Sequence, residues 1–198
     1  MTPTLRAMAV PDPAERWEAL AFEVVSGAVL LPHVRVVLAA PRLSVTIEGV
    51  AQLPDGLALA PAEPAWAAHS DHPNGAMGID HVVAVTPEFD ATVAALEGVG
   101  LPLKRIRDAG SFRQGFRRLG EPILEVVEAR QAPAPAWWGL TVTVADLNAL
   151  PEDLISSPKP AVQPGRFIAT ARSPGTPLAF ITPDPESPLG PAHARPLS

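Results

Sequence analysis

From Ile79 to Val127 the sequence spells strand, helix, strand, strand, strand, with a turn or cap signal at most junctions. Ile79 to Val85 is β-branched and apolar on both faces, as suits a strand inside a sheet. Thr86-Pro87-Glu88 is a helix start. Thr caps, Pro suits the first helical position, and Glu favours the positive end of the helix. Phe89, Val93 and Leu96 recur on one helical face, and Gly98 and Gly100 end the helix. Leu103 to Arg107 and Arg113 to Leu119 read as strands, a turn falls at Gly120-Glu121, and Ile123 to Val127 completes a βαβββ unit.

The same order returns further on: Leu140 to Val144 as a strand, Asp146 to Leu154 as a helix interrupted by Pro151, then Phe167 to Ala171 and Leu178 to Thr182 as strands. A third similarity lies near the start. Leu43 to Leu57 aligns without a gap to Leu140 to Leu154, sharing Leu43/Leu140, Val45/Val142, Thr46/Thr143, Leu53/Leu150, Pro54/Pro151 and Leu57/Leu154. Ahead of it come a strand (Leu5 to Val10), a helix (Pro13 to Phe22) and two strands (Val24 to Leu31, Val34 to Leu38). The 25 prolines punctuate the chain; Pro61 to Ala76 is rich in Pro, Ala and polar residues, and the stretch from Pro183 has five prolines. The expected organisation is a degenerate βαβ-type region over 1–65, paired βαβββ modules over 76–183, and a Pro-rich, loosely held tail over 184–198. The linker at 61–76 is expected to be exposed.

GIDHVVAVTPEFDATVAALEGVGLPL with RQGFRRLGEPILEVVEA resembles the first βαβββ module of the vicinal-oxygen-chelate superfamily, the glyoxalase, bleomycin-resistance and extradiol-dioxygenase group. WWGLTVTVADLNAL and the GRFIATAR to PLAFITP ending look like the second module. The resemblance implies an α+β fold in which repeated βαβββ modules form a half-open curved sheet. It also implies that His81 and Glu125 match the first-strand and fourth-strand metal ligands. An imidazole and a carboxylate suit a divalent ion such as Fe, Mn, Ni, Zn or Co. Such an ion can chelate two substrate oxygens. The second module departs from the pattern: alignment sets Gly139 opposite His81 and Phe180 opposite Glu125, and neither binds a metal.

Other candidates come from the strands. Gln114, Phe116 and Arg118 alternate along one strand, and a turn at Gly120-Glu121 puts Phe116 opposite Glu125. Substrate binding by Gln114, Phe116, Arg118, Trp138 and Phe180 follows as an expectation, beside the reading that the arginines are solvated on an edge and the tryptophans anchor a core. His81 is a ligand, a general base or a hydrogen-bonded core histidine. It is expected to share a face with Ile79, Val83 and Val85. Glu125 needs a partner if buried. His69 and His72 flank Asp71 in a polar stretch, and Arg166 follows a Gln163-Pro164-Gly165 turn that can bring it to the cup.

Composition limits the function. Hydrophobic residues make up 47% and charged residues 18%, so the chain is globular. A net charge of −6 argues against a nucleic-acid surface. The lack of cysteine excludes disulfides and thiolate chemistry. No basic start with an apolar core opens the chain and no apolar run approaches ~18 residues, so a cytoplasmic protein with no membrane partner is expected. The expected function is a glyoxalase-like protein that binds a small oxygen-rich molecule in a β-cup, as a lyase, isomerase or dioxygenase with an incomplete metal site. The alternative is a metal-free, drug-sequestering binder. A homodimer is compatible with both.

Overall fold

The computed structural model describes residues 2–61 and 71–185. Most of the expected linker, with His69, and the tail beyond 185 lie outside the described residues. The fold is α+β. Strand β1 (Thr4–Ala9) leads to α1 (Ala14–Ala19), β2 (Ala28–Leu31), β3 (Val34–Val37) and β4 (Ser44–Glu48), which form a four-stranded sheet in the order β2-β3-β1-β4. Then come β5 (Ala76–Thr86), α2 (Phe89–Gly98), β6 (Arg105–Asp108), β7 (Arg113–Arg118), β8 (Ile123–Glu128), β9 (Ala136–Val144), β10 (Lys159–Pro160), β11 (Phe167–Thr170) and β12 (Leu178–Ile181). These make an eight-stranded sheet, ordered β10-β11-β12-β9-β5-β8-β7-β6.

That order is symmetric about its central pair. β5 runs antiparallel to β9, β5 is parallel to β8, and β9 is parallel to β12. The β5–β9 register maps onto itself when the strands exchange: His81 faces Thr141 as Gly139 faces Val83, and Ile79 faces Val142 as Trp137 faces Ala84. Each strand carries one extra residue at the matching point, Asp80 in β5 and Trp138 in β9. The small sheet repeats the plan. β1 is parallel to β3 and antiparallel to β4, Arg6 is the extra residue between Leu5 and Ala7, and Val45 makes a parallel bridge to Leu59 as β9 does to β12.

The helix begins later than the sequence predicts: Glu88 is the N-cap, without a side-chain cap bond, and Phe89 is the first helical residue, so Thr86 and Pro87 stand ahead of the helix. Thr86 Oγ1 accepts from the Glu88 amide at 3.2 Å and meets Thr92 Oγ1 at 2.7 Å. Phe89, Thr92 and Leu96 are buried on α2, with Val93 partly so. In the second half, Leu150 is extended before Pro151, and the expected helix becomes two 3₁₀ turns, Leu147–Ala149 and Glu152–Leu154. Pro151 removes the amide that would continue the helix, and the residue before a proline avoids helical angles.

One face of the large sheet is core, with Val82, Leu124, Val126, Leu140, Val142 and Phe180 fully or nearly fully buried. Where α2 has no counterpart, the N-terminal region packs instead: Phe22 stacks on Phe180 with ring centroids 6.0 Å apart. A buried polar cluster ties the two regions. Asp12 accepts from the Thr176 amide at 2.8 Å and from Trp17 Nε1 at 3.2 Å, and it pairs with Arg16, which donates to Thr176 O at 2.8 Å. In the described part of the expected linker Pro61, Asp71 and Pro73 are exposed, but two residues between and after them are held. His72 and Asn74 are buried: His72 Nδ1 accepts from the Glu23 amide, and Asn74 donates to Leu20 O.

Candidate functional site

The site lies on the face of the large sheet opposite the core, and a β-bulge builds it. Successive strand residues normally point to opposite faces. The extra residue between Ile79 and His81 breaks that rule: Ile79 pairs with buried Val142, while Asp80 and His81 both turn to the other face. His81 therefore shares its face with Val83 but not, as the alternation predicts, with Ile79. Two neighbours in sequence can then bond: His81 Nδ1 lies 2.8 Å from Asp80 Oδ2.

Asp80 has a second partner. Arg166, buried, donates from Nη2 to Asp80 Oδ1 at 2.5 Å, and its own Nε is fixed on Thr182 O at 2.7 Å. Burial pushes the Asp80 carboxyl up, but the hydrogen bonds from His81 and Arg166, with the charge of Arg166, outweigh burial and hold it below its ordinary value. An ionised carboxylate only accepts, so the proton of the His81–Asp80 bond sits on Nδ1. In the neutral ring Nε2 then presents a lone pair, and Thr141 Oγ1, at 2.9 Å, donates to it.

Glu125 comes from β8. The register sets Val83 opposite Glu125 and Glu125 opposite Phe116, the latter as the turn at Gly120-Glu121 requires. Glu125 Oε1 accepts from Gln114 Nε2 at 2.6 Å, and Oε2 lies 3.5 Å from His81 Nε2. Both side chains are mostly buried, at 20% exposure for His81 and 14% for Glu125. Two acceptors, each oriented by its own donor, thus face one another at a distance that suits a proton brought between them.

The remaining expected residues are placed as follows. Phe116 shares the face of Glu125 and is partly buried. Arg118 is exposed and donates to Glu121 O at 3.2 Å. Trp138 is the bulge residue of β9 and is 52% exposed, whereas Trp137 is core and donates to Ala58 O. Phe180 does not reach the site. Its strand pairs Leu178 with Leu140 and Ala179 with Thr141, so Leu178 corresponds to Leu124 and Ala179, not Phe180, corresponds to Glu125. The one-residue slip in the sequence alignment flips the face, and Phe180 lies in the core against Phe22. Asp80 escaped the sequence analysis because alternation hides it behind the sheet; the one hint was a carboxylate next to a histidine in an otherwise apolar strand.

No family model matches the sequence, and no curated protein matches it either. Solved structures do. A halotolerant catechol dioxygenase, BphC, superposes with a TM-score of 0.57 at 9% identity, covering 92% of this chain and 86% of that one. A Mn(II)-bound glyoxalase from Novosphingobium aromaticivorans gives 0.55 at 12% identity, over 91% and 82%. A xylose isomerase-like TIM barrel/4-hydroxyphenylpyruvate dioxygenase fusion protein gives 0.57 at 11%, over 92% of this chain and 49% of its own. The chain has the vicinal-oxygen-chelate fold. Among the described residues, no helix is long and apolar enough to cross a membrane.

The metal that this fold often carries does not fit the donors present. The second-module positions are Gly139 and Ala179, and among the described residues no three His, Cys, Asp or Glu side chains are placed to hold one metal ion. Gly139 cannot be replaced by a ligand in place: a Cβ there would lie 2.3 Å from Pro177 O.

Proposed function

We propose that this chain binds a small oxygen-rich carbonyl compound on the His81 face and moves a proton on it, as an isomerase or lyase, without a resident metal. The observation that carries the reading is the pair of oriented bases 3.5 Å apart, His81 Nε2 and Glu125 Oε2. One base takes the proton from the carbon beside the carbonyl, and the electron pair moves to the carbonyl oxygen. The protonated base, or its neighbour, returns the proton. Asp80 and Arg166 hold the imidazole in the tautomer that leaves Nε2 free to accept, which is the role of the orienting acid in such dyads. Gln114 fixes the carboxylate and keeps a second amide hydrogen for a substrate oxygen.

The second reading is a metal-free binding protein, favoured by the loss of polar side chains at Gly139 and Ala179. One experiment separates the two. The chain is dialysed against a chelator and incubated in heavy water with a panel of 2-oxo acids and 2-hydroxy ketones, and loss of the α-proton is followed by NMR. Exchange with one panel member that falls at least ~100-fold in Glu125→Gln supports proton transfer. Binding of panel members with no exchange supports the binder, and exchange only after adding a divalent metal overturns the metal-free account.

A further inference from the structure

Strand β6 forms one edge of the large sheet, and all four of its residues are exposed. Its register sets Arg105 opposite Phe116 and Arg107 opposite Gln114. Residues opposite one another in a ladder share a face. Phe116 in turn faces Glu125, so both guanidiniums belong to the site face, and Ile106 between them points the other way.

The other arginines nearby are engaged. Arg113 donates to Asp90 and Glu128, Arg117 to Pro102 O and Arg118 to Glu121 O. Among the described residues, neither Arg105 nor Arg107 has a hydrogen-bond or ion-pair partner. Two unpaired cations side by side are out of character for a chain of net charge −6. Charge on an edge strand also discourages sheet-to-sheet pairing, but that purpose does not require both charges on one face beside the site.

We propose that Arg105 and Arg107 hold an acidic group of the substrate, a carboxylate or a phosphate, at the far end from the reacting carbon. This deepens the proposed function and rests on the His81 face being the substrate face. Guanidinium forks match both anions in a two-pronged geometry. β6 lies two strands from β8, about 10 Å at ~4.8 Å per strand. The substrate is therefore bifunctional: a carbonyl at His81 and Glu125, and an anion roughly one ring or short chain away.

The test titrates the full chain with malonate and, separately, inorganic phosphate at low ionic strength, by calorimetry or NMR. Wild type is expected to bind at least one of the two, and whichever is tighter names the acidic group. Arg105→Gln/Arg107→Gln should weaken that binding at least tenfold, while His81→Gln/Glu125→Gln keeps it within a factor of about two. No binding by wild type, or equal binding by the arginine variant, overturns the proposal. So does an arginine variant that only self-associates and binds the anion as before. Anion binding that depends on the arginines, in a chain that shows no proton exchange, leaves this inference standing and removes the proposed chemistry.

Discussion

In the first half of the large sheet, β5 to β8, the helix after the opening strand has ten residues, and the site face carries His81 and Glu125. In the second half, β9 to β12, two three-residue turns replace the helix, and the matching positions are Gly139 and Ala179. The ladder is the same and the bulge is at the same place, so backbone symmetry has outlasted chemical symmetry. The missing helix leaves a core face uncovered, and Phe22 of the N-terminal region covers it. The second half still serves the site, through Thr141 on the lone pair of His81 and Arg166 on Asp80. Acceptors thus come from one half and donors that orient them largely from the other.

The comparison can be broken by removing side chains from each half. Glu125→Gln keeps shape and the bond to Gln114 but loses the base, and α-proton exchange should fall by about 10²–10⁴ with little change in the unfolding midpoint. Phe180→Ala should do the opposite, costing about 3–5 kcal/mol in denaturant unfolding, because a fully buried ring is removed. Residual exchange per folded molecule should stay near wild type.

Asp80→Asn sharpens the role of the bulge. The Asp80 carboxyl has its value lowered in the folded chain. Its contribution is present in full above the unfolded carboxylate value of about 4 and disappears as pH falls through the lower folded value. At pH 7 the variant should be less stable by about 1.5–3 kcal/mol, and the difference should close in strong acid. Gly139→Ala should cost about 1–3 kcal/mol, since Pro177 O must give way. Trp138→Ala, half exposed at the β9 bulge, should change stability by no more than about 0.5 kcal/mol.

The sequence makes the fold legible where local signals agree. The βαβββ order and the Phe116–Glu125 register follow from residue patterns and turn chemistry, and the structure has both. The N-terminal alignment sets Val45 against Val142, whereas the ladders set Val45 against Leu140. That slip of two keeps the face, so the strand and its orientation are still right. The slip of one at Phe180 does not, and a substrate residue becomes core. Bulges are the other blind spot. Asp80 and Trp138 sit in strands whose pattern carries no sign of an extra residue, and the partner of His81 in sequence is its partner in space only because of one.

The most direct test of the account is the position of the proton on the neutral His81 ring, read from long-range proton–nitrogen correlations in the full chain. The account predicts a protonated Nδ1, held by Asp80, and a bare Nε2 facing Thr141 and Glu125. A proton on Nε2 with Nδ1 bare would require Asp80 to be the donor despite Arg166, and it would contradict the assignment of His81 as an oriented base.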